Sequence, residues 1–213
     1  MTTWIVLRAA GIGAYVMLFL SVAWGLVATT GALGKRVSKA TATTVHQLLA
    51  TTGFVLLGVH LGGLLVDAFM PFGPAQILVP GRSTFKSIPV AIGIVAMYAM
   101  VFVIVSSWMR KRIGTRWWRR SHLLAVPTFI LSMVHGVFTG TDTVRPVMWW
   151  TYVATGLITL FLLVVRGLTA GFRPARAAAP ERARARVPVP ITPAGREPAG
   201  REPARRELEP ATV

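Results

Sequence analysis

The spacing of four histidines is the feature of this sequence that could support chemistry. The histidines are His46, His60, His122 and His135. His46 and His60 are 14 residues apart, and His122 and His135 are 13 residues apart. All four lie in apolar runs, where an ionisable side chain is costly and points to a function. Along a helix these spacings correspond to about 21 Å and about 19.5 Å. Two parallel helices with such spacings would place the histidines in two pairs at two depths.

Paired imidazoles suit the two axial positions of a haem iron, one on each side. His46 with His122, and His60 with His135, would therefore hold two haems across the membrane, with an electron passing from one to the other. The chain has no cysteine. Disulfides, iron–sulfur clusters, thiol catalysis and the covalent attachment of c-type haem are thus excluded.

Two other interpretations of the histidines remain open. Imidazole also binds zinc and copper, so the chain could be a histidine-based metal-handling or transport protein without haem. Alternatively, the histidines could only hydrogen-bond between helices of a structural subunit. The only acidic residues before position 171 are Asp67 and Asp142. Hydrolytic chemistry based on paired carboxylates therefore has no support.

The elements that must position the histidines are membrane helices. Of the 213 residues, 54% are hydrophobic and 14% are charged, whereas soluble domains have roughly 25% charged residues. Five runs are long enough to span a bilayer, which takes about 20 residues. They are Ala9 to Leu33, Val45 to Val66, Ile88 to Met109, Trp118 to Thr139 and Pro146 to Val165. We predict an all-α integral membrane bundle of five transmembrane helices, with six as the alternative. We expect the loop from Asp67 to Pro89 to be an ordered external loop or a short re-entrant segment.

The helical phase suits one pair of histidines better than the other. At about 100° per residue, His46 and His60 lie about 40° apart on one helical face, but His122 and His135 lie about 140° apart. Pro127 lies between the latter two, and proline bends helices. We therefore expect the fourth membrane helix to be distorted.

The basic residues indicate the orientation of the chain. The net charge of +16 would suggest nucleic-acid binding on a soluble domain, but most of the basic residues border apolar runs, so we expect no nucleic-acid partner. Cations cluster in two loops and in the C-terminal tail: Lys35, Arg36 and Lys39; Arg110, Lys111, Arg112, Arg116, Arg119 and Arg120; and the arginines after residue 171. The positive-inside rule then places the N-terminus outside and the tail in the cytoplasm.

Several further residues could serve the predicted haems. Arg119 and Arg120 lie beside His122 and could contact haem propionates, or could serve only as topology determinants. Glycines could provide room for haem or simply allow close helix packing. These glycines are Gly11, Gly13, Gly25, Gly53, Gly58, Gly62, Gly63 and Gly136.

We divide the chain into residues 1–170, a membrane haem-binding domain, and residues 171–213, a tail. The tail is rich in Arg, Pro and Ala and contains more than half of the 14 prolines. Such a composition does not support a buried core, so we expect a disordered cytoplasmic segment.

Three motifs resemble the ferric reductase-like transmembrane domain. They are L-L-x-x-H-L-x-x-L-L-V-D around His60, R-x-W-R-R-x-H ending at His122, and H-G-x-x-x-G-T-D starting at His135. The domain is shared by ferric reductases, NADPH oxidases and the haem-binding membrane subunit of the bacterial methionine sulfoxide reductase system. The resemblance covers about residues 4–166, and these stretches look like the bacterial members.

The resemblance implies two non-covalent b-type haems, with the four histidines as axial ligands, and electron transfer across a bacterial-type plasma membrane. The chain would thus be an oxidoreductase component. Larger members carry a cytoplasmic flavin and nicotinamide domain, whereas no G-x-G-x-x-G follows Gly171 here. We therefore expect a separate flavoprotein, a loosely bound flavin or a membrane quinol as donor. The expected acceptor lies outside: ferric iron, oxygen or a partner reductase.

Overall fold

A computed structural model describes residues 2–30, 32–34, 37–68 and 71–171. These residues form seven helices and no strands, which confirms the all-α prediction. The helices are α1 (Thr2–Thr30), α2 (Lys39–Val66), α3 (Pro74–Leu78), α4 (Ser87–Trp108), α5 (Arg110–His122), α6 (Ala125–Thr139) and α7 (Pro146–Gly171). Lys35, Arg36 and the predicted tail after Gly171 lie outside the described residues.

The helices account for the five predicted spans. Within the described ranges, α1, α2, α4 and α7 are each long and apolar enough to cross a membrane. Helices α5 and α6 pass the same test as a pair that is bent by 45°. Counted as one broken span, this pair brings the number of spans to five. The protein is thus a multi-pass membrane protein.

The fourth span is distorted, as predicted. Helix α5 ends at His122, Leu123 and Leu124 form a turn, and α6 begins at Ala125. Pro127 lies in the first turn of α6, where its missing N–H costs no helical hydrogen bond. The break therefore lies just before the proline. It releases His122 and His135 from the phase that one continuous helix would impose.

Helix α1 lies at the centre of the bundle and packs against α2, α6 and α7, whereas α4 packs against α5 and α6. The buried core contains Tyr15, Val22 and Leu26 of α1 together with Phe129 of α6 and Tyr152 of α7. Helix α2 packs mainly along α1. Many apolar side chains of α2, such as Leu48 and Val55, are exposed, as expected where a helix faces lipid.

The loop between α2 and α4 contains the short helix α3 within its described part. Residues 69 and 70 lie outside the described residues. The short helix α3 is anchored because Tyr98 Oη donates a hydrogen bond of 2.6 Å to the carbonyl oxygen of Leu78. Phe72 and Ile77 are buried. The loop therefore packs onto the bundle.

Candidate functional site

The structure brings the four histidines together in the two predicted pairs. The first pair is His46 on α2 and His122 at the end of α5, whose ring centroids are 5.8 Å apart at an interplanar angle of 70°. The second pair is His60 on α2 and His135 on α6, which line one cavity of about 240 Å³. The role of these residues as iron ligands stays a prediction.

The spacing of the first pair fits two imidazoles on opposite sides of one metal ion. With metal–nitrogen bonds of about 2.0 Å, the ring centroids of such a pair lie about 6 Å apart. The observed 5.8 Å agrees with this value. Within the described residues, no group of three or more histidine, aspartate or glutamate side chains is placed to hold a metal ion. Among the described residues, the groups that could bind a metal ion are therefore pairs of imidazoles.

Three of the four histidines share a second contact. In each, Nδ1 donates a hydrogen bond to a backbone carbonyl of a neighbouring helix. The bonds run from His46 to Ser21 at 3.0 Å, from His60 to Leu7 at 2.8 Å and from His135 to Pro89 at 2.9 Å. Since a carbonyl only accepts, Nδ1 must carry the proton and Nε2 keeps a free lone pair. Histidines that bind metals through Nε2 are held in this way.

A glycine accompanies each of these three carbonyls, four residues later in the same helix. A Cβ atom built on Gly11 would lie 2.9 Å from His60 Nδ1, and one on Gly93 would lie 2.4 Å from His135 Nδ1. A Cβ atom on Gly25 would lie 3.4 Å from His46 Cε1. At Gly11 and Gly93 the missing side chain therefore lets the imidazole reach the carbonyl, whereas at Gly25 a Cβ atom would make only an ordinary van der Waals contact. We call the carbonyl and its glycine a carbonyl–glycine site.

Sequence reasoning named two of these three glycines. Gly11 and Gly25 were among the predicted glycines, but Gly93 was not. Gly11 and Gly25 on α1 are 14 residues apart, which is also the separation of His46 and His60 on the antiparallel helix α2. This shared spacing is the sequence signal for the two glycines. The remaining predicted glycines do not contact a histidine. Gly13, Gly53, Gly63 and Gly136 lie close to side chains of other helices, and Gly58 and Gly62 have no such neighbour within 4 Å.

His122 lacks this contact. Its Nδ1 is buried and has no hydrogen-bond partner among the described residues. The ring instead packs against Trp118, with centroids 5.2 Å apart. The Arg110 guanidinium lies 4.1 Å from the centroid of the Trp118 ring. His122 is thus held by stacking instead of by a carbonyl.

The cavity of the second pair contains a charged group that sequence reasoning did not single out. Arg8 and Asp142 line it, and Arg8 Nε donates to Asp142 Oδ2 at 3.0 Å. Arg145 Nε lies 3.3 Å from Asp142 Oδ1. The sequence signal for Arg8 is its position as the one basic residue before the first apolar run. A cation is therefore available beside His60 and His135.

The two arginines predicted to contact propionates lie on the last turn of α5, beside His122 in sequence. Both side chains are exposed. The Arg120 guanidinium lies 5.5 Å from the centroid of the Trp117 ring. The contact of Arg119 and Arg120 with propionates stays a prediction.

The chain belongs to a family of membrane redox proteins. The sequence profile of the family described as "Ferric reductase like transmembrane component" matches residues 10–133, which is more than half of the chain. The match contains His46, His60 and His122 and ends two residues before His135. No curated protein and no solved structure matches the chain. Family membership makes the protein a membrane oxidoreductase component.

Proposed function

We propose that this protein is a di-haem b-type membrane cytochrome that carries electrons across the membrane. The observation that carries the proposal is the arrangement of the histidines in two pairs, one with its rings 5.8 Å apart and the other lining one cavity. Three of the four rings have Nδ1 committed to a carbonyl, which leaves Nε2 as a ligand. Hydrogen bonding between helices would not by itself require two such pairs.

Each part of the chain has a defined role in this proposal. Haem, when bound, supplies iron that changes between the ferric and ferrous states by one electron. Nε2 of each histidine would hold the haem iron, and the carbonyls of Leu7, Ser21 and Pro89 keep the proton at Nδ1 of three of the rings and fix the orientation of these rings. Arg8, which is paired with Asp142 beside the second pair, and Arg119 and Arg120 beside the first would be the cations nearest to haem propionates.

The charges of the chain support a direction of transfer. By the positive-inside rule, the basic segment of α5 supports a cytoplasmic position for the first pair and an outer position for the second. The donor is a separate flavoprotein, a loosely bound flavin or a quinol. The acceptor is ferric iron, oxygen or a partner reductase. The absence of cysteine from the chain permits a direct test of orientation with single cysteines at Thr84 and Lys111.

In intact cells, a membrane-impermeant maleimide should label Thr84→Cys, whereas Lys111→Cys should be labelled only after the membrane is opened. The opposite pattern would reverse the proposed direction. Labelling of both positions in intact cells would show that the membrane is leaky, so a cytoplasmic protein with an exposed cysteine serves as the control.

Haem content tests the function itself. The purified protein should show a b-type reduced-minus-oxidised spectrum and close to two haems per chain. His60→Ala should lose about one haem, whereas Gln47→Ala, which replaces an exposed polar residue of the same helix, should lose none. Metal binding without a haem spectrum would support the metal-handling alternative. Neither haem nor metal would support a structural subunit.

A further inference from the structure

Helix α5, which carries the one histidine without a carbonyl partner, packs against α4, and on α4 the pattern of the other three sites is changed. His135 uses Pro89 and Gly93 of α4. His122 lies 13 residues before His135, and α4 runs antiparallel to α5 and α6. A step of 13 or 14 residues along α4 from Gly93 leads to Ser106 or Ser107. Serines therefore stand where a fourth carbonyl–glycine site would have its glycine.

The contacts of the two serines show that α4 meets α5 at this position. Ser121 Oγ donates to Ser106 Oγ at 3.0 Å, and Trp118 Nε1 donates to Ser107 Oγ at 3.3 Å. Both Trp118 and Ser121 are on α5, within one helical turn of His122. The serines thus contact the turn of α5 that carries the imidazole without a partner.

The serine hydroxyls also donate hydrogen bonds to the Val103 carbonyl, which a fourth carbonyl–glycine site would use to bind an imidazole. Ser106 Oγ and Ser107 Oγ donate to the carbonyl oxygen of Val103, at 2.9 Å and 2.7 Å. Val103 lies 14 residues after Pro89, which is the separation of the two carbonyls used on α1, those of Leu7 and Ser21. In the other three sites the corresponding glycine leaves the carbonyl open to an imidazole.

We infer that Ser106 and Ser107 are positioning residues that deny His122 a carbonyl partner, and that they thereby raise the reduction potential of the haem held by the first pair. The inference rests on the proposed function, because it presupposes haem. A hydrogen bond donated by Nδ1 makes the imidazole a stronger electron donor. Stronger donation stabilises ferric iron, so its absence at His122 favours ferrous iron.

The consequence is an asymmetry between the two haems. The first pair has one ligand held by a carbonyl, whereas the second pair has two. The haem held by His46 and His122 therefore has a higher reduction potential than it would have if His122 also had a carbonyl–glycine site. The chain tunes one haem through α4 without changing an iron ligand.

A matched pair of double variants of the full chain tests the inference. Ser106→Gly with Ser107→Gly removes the hydroxyls and opens space for the ring. Ser106→Ala with Ser107→Ala removes the hydroxyls but keeps both Cβ atoms. In a redox titration followed by haem absorbance, the glycine variant should lower the potential of the first haem. The expected change is about tenfold in the one-electron equilibrium constant, equivalent to about 59 mV. The alanine variant frees the Val103 carbonyl but keeps both Cβ atoms in the space that the ring needs, so its first potential should stay close to that of the unchanged protein.

The titration separates failure of the inference from failure of the proposed function. A protein that binds no haem would refute the proposed function. Two haems per chain with an unmoved first potential in the glycine variant, or an equal shift in the alanine variant, would refute the inference alone. The His60→Ala variant, which should keep only the first haem, assigns the midpoints.

A measurement without changes in α4 guards against misfolding of the glycine variant. In ferric His60→Ala protein with ¹⁵N-labelled histidine, pulsed EPR should resolve two unequal Nδ1 couplings for the first haem. They correspond to a hydrogen-bonded His46 and an unbonded His122. Equal couplings would contradict the inference.

Discussion

Gly93 and His135 are packed so closely that no side chain fits between them: a Cβ atom on Gly93 would lie 2.4 Å from His135 Nδ1. The contact exists because the imidazole reaches over Gly93 to the Pro89 carbonyl, 2.9 Å away. Any residue larger than glycine would force the ring, the hydrogen bond or the helix to move. The position of His135 is thus set by a residue on a different membrane helix.

Gly93→Ala should therefore displace His135 and reduce the haem content from about two per chain to about one. The added methyl group meets the ring itself, and close-packed interiors yield little to such a change. Pyridine haemochrome analysis of the purified protein measures the content. Gly62→Ala is the matched control because nothing lies within 4 Å of its Cβ position, and it should keep both haems. Full haem content in Gly93→Ala would show that the contact is not needed.

The pairing itself predicts a pattern among double variants. His46→Ala and His122→Ala should each lose the same haem, so the double variant should lose no more than either single one. His46→Ala combined with His60→Ala should lose both haems, since these residues belong to different pairs. Haem per chain and the reduced-minus-oxidised spectrum are the measurements. Loss of both haems in the His46 and His122 double variant would contradict the pairing.

Asp142→Asn should raise the reduction potential of the second haem. The carboxylate neutralises Arg8, which lines the cavity of His60 and His135. Removing its negative charge leaves the arginine uncompensated, and a nearby positive charge favours the ferrous state. The effect should be on the order of 1 kcal/mol, as for a charge interaction at intermediate dielectric constant.

Arg145→Gln is the control for this change. Arg145 also contacts Asp142, but 74% of its side chain is exposed, so solvent and salt screen its charge. Its effect on the midpoint should be much smaller than that of Asp142→Asn. Equal shifts in the two variants would argue against a specific role of the Arg8 pair.

The buried hydrogen bond between Tyr15 and Thr155 predicts an effect on stability. The two oxygens are 2.5 Å apart, and both residues are buried. Tyr15→Phe should cost about 1 kcal/mol, because Thr155 keeps its bonds to helix carbonyls. Thr155→Val should cost more, roughly 1–3 kcal/mol, because the Tyr15 hydroxyl would then be buried without a partner.

Thermal unfolding of the detergent-solubilised protein measures these changes. Thr151→Val is the control, since the Thr151 hydroxyl is exposed and bonds only to a carbonyl of its own helix. It should leave the unfolding temperature nearly unchanged. A larger loss in Tyr15→Phe than in Thr155→Val would contradict the assignment of the unsatisfied group.

The carbonyl–glycine sites could be predicted from the sequence only in part. The 14-residue repeat of Gly11 and Gly25 matches that of His46 and His60, and it is visible in the sequence. Gly93 has no such repeat, because serines stand 13 and 14 residues later. Its role depends on how α4 meets α6, and no spacing within either helix contains that information.

By itself, the sequence determined the number and extent of the apolar runs, the two histidine separations and the need for a distortion near Pro127. These properties follow from hydrophobicity and helical geometry, which act along one segment at a time. The tertiary structure alone decided that the helix breaks at Leu123 and Leu124, that Arg8 meets Asp142, and that His122 has no carbonyl partner. These features arise from packing between helices, where the side chains of one segment determine the space and the hydrogen-bonding groups available to another.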